Sequence, residues 1–112
     1  MDAVFLLKLT DSAGSPFFGP GVAELFTLID ETGSVRHASE KMGLSYSKAW
    51  KMIRGTEKAT GKAAVTRIQG GKGGGRAELT AEGKKLLEAF SHLEKEMEAH
   101  LASVKEAMIG TL

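Results

Sequence analysis

The residues best suited to chemistry lie in the stretch SYSKAWKMIR, Ser45–Arg54. Ser45, Ser47, Lys48, Lys51 and Arg54 offer hydroxyl donors and positive charge, and Tyr46 adds a phenol. Such groups hold phosphates and reach base edges; they do not form a nucleophile with its base. A second set stands further on, where Arg67, Lys72 and Arg76 flank and occupy the glycine-rich run Gly70–Gly75. Glycines there would let backbone approach a polyanion closely. Each feature also has a plainer reading. Tyr46 and Trp50, one helical turn apart, are more often core than stacking platforms. Lone lysines are ordinary solvated charge, and a glycine-rich tip can be merely a loop.

Charge distribution favours the polyanion. Residues 1–33 carry five acids and one base, residues 34–76 ten bases and two acids, and residues 77–112 four bases and seven acids. A net charge of +1 therefore conceals a basic middle between acidic flanks. The chain of 112 residues holds one modest core, with 42% hydrophobic and 26% charged residues. With no cysteine, disulfides and thiol chemistry are excluded. No apolar run is long enough to span a bilayer and no signal-peptide pattern opens the chain, so a cytoplasmic location without a membrane partner is expected.

Nucleotide motifs fail at single positions. A P-loop would need glycine at Thr66 and Ser or Thr at Gly73, and a dinucleotide fingerprint from Gly71 would need glycine at Arg76. His37, His92 and His100 lack metal-ligand spacing. An enzyme is not expected, nor a cofactor or metal.

The elements that must position the cations follow from local pattern. Ala3–Thr10 predicts a strand, Asp11–Gly14 a turn, and Ser15–Phe18 a short return. Val22, Leu25, Leu28 and Ile29 predict a first helix ending at Gly33. Ser34 caps a second helix with Val35, Ala38 and Met42 on one face, and Gly43 ends it. Ser45 caps a third, Tyr46 to about Thr60, with Tyr46, Ala49, Trp50 and Ile53 inward. Gly55 inside it costs about 1 kcal/mol against alanine. Val65–Gln69 and Ala77–Leu79 predict a hairpin with Gly70–Arg76 at its tip. Thr80 caps a long last helix, Ala81 to about Ile109, whose apolar stripe exceeds what so small a body can cover.

Helix, glycine turn, helix and hairpin make a mainly α fold with a small β wing, a winged helix-turn-helix with a long C-terminal dimerisation helix. The third helix would enter the major groove. The expected DNA contacts are Ser34, Arg36, Ser45, Tyr46, Ser47, Lys48, Lys51, Arg54, Arg67, Lys72 and Arg76. The expected dimer contacts are Phe90, Leu93, Met97, Leu101, Val104 and Met108. Residues 1–80 would form the recognition domain and 81–112 the dimer helix. The alternatives are a winged-helix protein-interaction module and a nonspecific nucleic-acid-binding protein.

FGPG (Phe18–Gly21), IDETGS (Ile29–Ser34), SYSKAW (Ser45–Trp50), GGKGGG (Gly70–Gly75) and LTAEGKKLL (Leu79–Leu87) run in an order that resembles the ModE-type, molybdate-regulated transcription factors. The resemblance covers about Ala3 to Phe90 and falls on that family's N-terminal, LysR-like winged helix-turn-helix. It implies a cytoplasmic homodimer binding double-stranded DNA at palindromic operators and controlling transcription, with molybdenum-related genes as the expected targets. The third helix would read the operator. Family members often carry a basic residue just after the GPG motif, where this chain has Val22. The family's molybdate sensor is a separate C-terminal domain, so molybdate binding by this stretch of chain is not expected.

Overall fold

The computed structural model describes residues 1–68 and 75–110. Strands β1 (Leu9–Thr10) and β2 (Pro16–Phe18) form a short antiparallel hairpin. Helices α1 (Pro20–Thr32), α2 (Val35–Lys41) and α3 (Tyr46–Thr60) follow. Then come the antiparallel strands β3 (Val65–Ile68) and β4 (Arg76–Leu79) and the long helix α4 (Ala81–Met108).

Capping chemistry explains where the helices begin. The Ser34 hydroxyl accepts from the His37 N–H at 3.1 Å, Ser45 from Lys48 at 3.0 Å, and Thr80 from Gly83 at 3.0 Å. Pro20 starts α1, where its fixed φ suits a helix and its missing N–H costs nothing. At Gly33 φ is +69°, which turns the chain sharply into the Ser34 cap.

The core is one cluster. Phe18 meets Phe26 and Phe90 edge-on at 5.3 and 5.2 Å, with Leu25, Ile29, Val35, Ala38, Ala49 and Ile53 buried around them. Buried Thr56 donates to the Phe17 carbonyl at 3.1 Å, tying α3 to β2. The Glu57 carboxylate accepts from the Ala64 and Val65 N–H groups at 2.8 and 3.4 Å, tying the end of α3 to the start of β3. The Ala77 N–H donates to the Gly33 carbonyl at 2.9 Å, so β4 is anchored on the α1–α2 turn. The root of α4 is equally fixed. Besides capping, the Thr80 hydroxyl donates to the Ala63 carbonyl at 2.7 Å, and a Cβ on Gly83 would overlap the Ala64 carbonyl oxygen.

Two expectations are corrected. The first strand pairs only at Leu9–Thr10, because three-residue β2 gives Ala3–Lys8 no neighbour. Residues 1–8 still alternate between exposed and partly buried positions, and Asp2 accepts from the Lys105 ammonium at 2.6 Å. That hydrogen bond is the main reason the Asp2 carboxyl titrates below the usual carboxylate range. Phe90, expected at a dimer interface, is 1% exposed inside its own core, because it closes the aromatic cluster under β2. Beyond it α4 leaves the body, and the molecule measures 59 × 30 × 22 Å. Among the described residues no helix is long and apolar enough to cross a membrane.

Candidate nucleic-acid interface

α3 is divided lengthwise. Ala49, Trp50, Ile53 and Thr56 are buried, while Ser45, Ser47, Lys48, Lys51 and Arg54 are exposed. The helical period of 3.6 sets this split: each polar residue sits about a quarter to half a turn from the buried stripe. Small, buried Ala38 on α2 lets the two helices approach. The turn between them is closed by the Leu44 N–H on the Ser39 carbonyl at 2.9 Å, with Gly43 at φ +68°.

Two aromatic rings organise the neighbouring cations. The Arg36 guanidinium of α2 lies 4.6 Å from the Tyr46 ring centre. Arg67 of β3 and Arg54 of α3 lie 4.3 and 5.9 Å from that of Trp50. Helix and hairpin thus share one buried indole. Its N–H has no hydrogen-bond partner among the described residues, so Trp50 serves through its ring. Tyr46 and Trp50 themselves meet edge-on at 6.3 Å. A groove of about 710 Å³ runs beside them, lined by Ser34, Arg36, His37, Arg67 and Arg76.

Lys51 stands apart from that groove. It lines a second depression of about 830 Å³ with Lys8, Lys58 and the start of α1. Sequence reasoning missed Lys8 and Lys58 there. Lys58 follows Lys51 by about two turns, a usable signal. Lys8 is a lone base in an acidic segment and gives none. The groove also includes His37, which is not among the expected DNA contacts. Lys48 remains exposed on the first turn of α3. Lys72, with Gly70, Gly71, Gly73 and Gly74 of the expected wing tip, lies outside the described residues.

Among the described residues Lys62 pairs with Glu82 and Lys105 with Asp2, and the His92 imidazole lies 3.9 Å from the Glu96 carboxylate. None engages a cation of α2, α3 or the hairpin. These cations share exposed surface with two capped helix N-termini, an arrangement that suits a row of phosphates.

The description "Bacterial regulatory helix-turn-helix protein, lysR family" matches residues 22–84. The chain is 34% identical over 84 residues to a protein of Rhodobacter capsulatus named Molybdenum-pterin-binding protein MopB, covering 75% of this chain and 31% of that one. It is 35% identical over 77 residues to the Transcriptional regulator ModE of Yersinia pestis, covering 69% and 29%. It therefore spans about a third of the length of these relatives. Among solved structures, the BenM DNA-binding domain in complex with benA site 1 DNA superposes with a TM-score of 0.58 at 16% identity, over 78% of this chain and 95% of that one. That likeness is one of fold.

Proposed function

The chain belongs to the LysR family of bacterial regulatory helix-turn-helix proteins, and on that premise we propose that it is a transcriptional regulator that binds double-stranded DNA sequence-specifically. α3 enters the major groove. Ser45, Tyr46 and Ser47 hold phosphates at its N-terminus, and Lys48 and Lys51 reach base edges. Ser34, Arg36, Arg54, Arg67, Lys72 and Arg76 grip the flanking sugar-phosphate backbone, the hairpin cations along the backbone or minor groove. Lys8 and Lys58, which line the same depression as Lys51, add further phosphate contacts. The observation that carries this reading is the meeting of α2, α3 and hairpin guanidiniums over Tyr46 and Trp50.

The working form is a homodimer joined through Leu93, Met97, Leu101, Val104 and Met108 of α4. Residues 1–80 recognise DNA and residues 81–112 pair the protomers, with the α4 turns up to Phe90 shared by both tasks. A two-fold dimer calls for a palindromic operator, with half-sites about 34–36 Å apart or a multiple of that. The names of the Rhodobacter and Yersinia relatives suggest molybdenum-related genes as targets.

Selection from random duplexes, followed by binding measurements at rising salt, tests the proposal. One palindromic sequence should be enriched. Its affinity should fall with a log–log slope of roughly −5 or steeper for six or more phosphate contacts. Equal retention of all duplexes would sink the sequence-specific reading. Promoters of molybdenum transport genes should compete better than unrelated duplexes, and failure there would remove the molybdenum link alone.

A further inference from the structure

Apart from Lys8 at its end, the segment before β1 has no role in the reading above, and the family match begins only at residue 22. Its side chains are unusual for a free surface. Met1 and Val4 are each 93% exposed and Leu6 67%, while Ala3, Phe5 and Leu7 between them are partly buried. That alternation is the period of an extended chain with one face on the body and the other on nothing.

Two fixed points show where the segment runs. Leu9 pairs with Phe18, whose ring meets Phe90 of α4, and Asp2 binds Lys105 of α4. Phe90 to Lys105 is about 22 Å of helix. Asp2 to Leu9 is about 23 Å of extended strand. The segment therefore lies stretched along α4, antiparallel to it, as an arm.

The arm adjoins the apolar stripe of α4. At about 100° per residue, Leu93, Met97 and Val104 share a sector of about 40°. Leu101 and Lys105, both partly buried, sit about 60° and 100° round from its centre. The arm thus runs along one flank of the stripe, with its exposed apolar side chains on the same side of α4 as Leu101 and Lys105. Taken alone, the stripe is thin: Leu93, Met97 and Val104 each keep under half of their surface exposed. A stable interface buries about 800 Å² per partner, which these side chains and Met108 do not supply. The arm adds three apolar side chains that are more exposed still.

We infer that the arm, residues 1–8, is the second half of the dimer interface, and that Met1, Val4 and Leu6 are covered by a second copy of this chain docked along α4. The arm of each protomer widens a one-helix seam into a two-element surface, and the Asp2–Lys105 pair holds it in place. This inference rests on the reading of α4 as the dimer helix.

Sedimentation equilibrium on the full chain tests both, with folding followed by circular dichroism. Val4→Asp with Leu6→Asp changes only exposed side chains. It should leave helicity and melting intact while weakening dimerisation about 30-fold or more. Leu93→Asp with Met97→Asp should give monomers. If the α4 variant is monomeric and the arm variant dimerises like the parent, the arm inference is overturned and the α4 reading stands. A parent that stays monomeric at every concentration, or an α4 variant that stays dimeric, overturns both. Should the arm variant misfold, amide exchange in the unaltered chain decides. Residues 3–8 should gain protection above the dimer dissociation constant; protection that is independent of concentration, or that appears only with a different protein, overturns the inference.

Discussion

α3 and α4 are both amphipathic, and they spend their two faces in opposite ways. α3 buries Ala49, Trp50 and Ile53 inside its own chain, covers Tyr46 in part, and leaves serines, lysines and an arginine outside. α4 buries only Gly83 and Phe90, close to its root, and carries Leu93, Met97, Val104 and Met108 uncovered. A helix with its apolar face satisfied presents charge, and charge recruits a polyanion. A helix with its apolar face open needs more apolar surface from elsewhere. One chain thus presents two surfaces of unlike chemistry.

The largest effect should come from disturbing the joint between the two helices. Gly83→Ala forces a methyl into the Ala64 backbone, where no flexible side chain can yield. It should cost on the order of 3 kcal/mol, read as a lower denaturant midpoint. An unchanged midpoint would mean that α4 can lift off the hairpin freely. Next comes α4 itself. Leu93→Asp with Met97→Asp should weaken self-association at least about 100-fold, roughly 2.7 kcal/mol, without changing the melting of the isolated fold. A large loss of melting temperature would place these residues with the core, against the contrast drawn here.

On α3 the expected changes are smaller and differ in kind. Lys51→Ala should relax sequence preference, costing about 1–3 kcal/mol at one operator position. Arg67→Ala should weaken all duplexes alike and reduce the salt slope by about one. Binding profiles on an operator and its single-base variants separate the two, and matching losses everywhere would erase the division of roles. The smallest change is Gly55→Ala. Among the described residues nothing lies within 4 Å of the position a Cβ would take, so close packing among them does not require glycine. The substitution should raise stability by about 0.5–1 kcal/mol. If DNA affinity fell at the same time, the bare backbone at Gly55 would be a contact.

Local chemistry was readable in the sequence and distant pairing was not. Ser34, Ser45 and Thr80 announce their helices because a cap acts on an N–H three residues away. The motifs that suggested ModE-type regulators agree with the relatives found, and the helix, turn, helix and hairpin order agrees with the fold. The extent of β1 was not legible, because it depends on the length of β2 rather than on its own apolar run. Phe90 fits the α4 stripe by period, but only the positions of Phe18 and Phe26 draw it inward. Lys8 beside Lys51, and Asp2 on Lys105, join residues too far apart in the chain for any spacing rule. From the sequence Arg54 and Arg67 are separate DNA contacts, one on the third helix and one at the base of the hairpin; their common indole is visible only with β3 beside α3.

Thr80 makes two bonds at once, one starting α4 and one gripping Ala63, so α4 behaves as a lever with a stiff pivot. Its 28 residues reach about 42 Å. A swing of roughly 5° at the pivot would move the far end by roughly 4 Å, about the rise of one base-pair step. On the proposed dimer, the spacing of the two recognition helices would thus depend on how firmly Thr80 and Gly83 hold the root of α4 against Ala63 and Ala64.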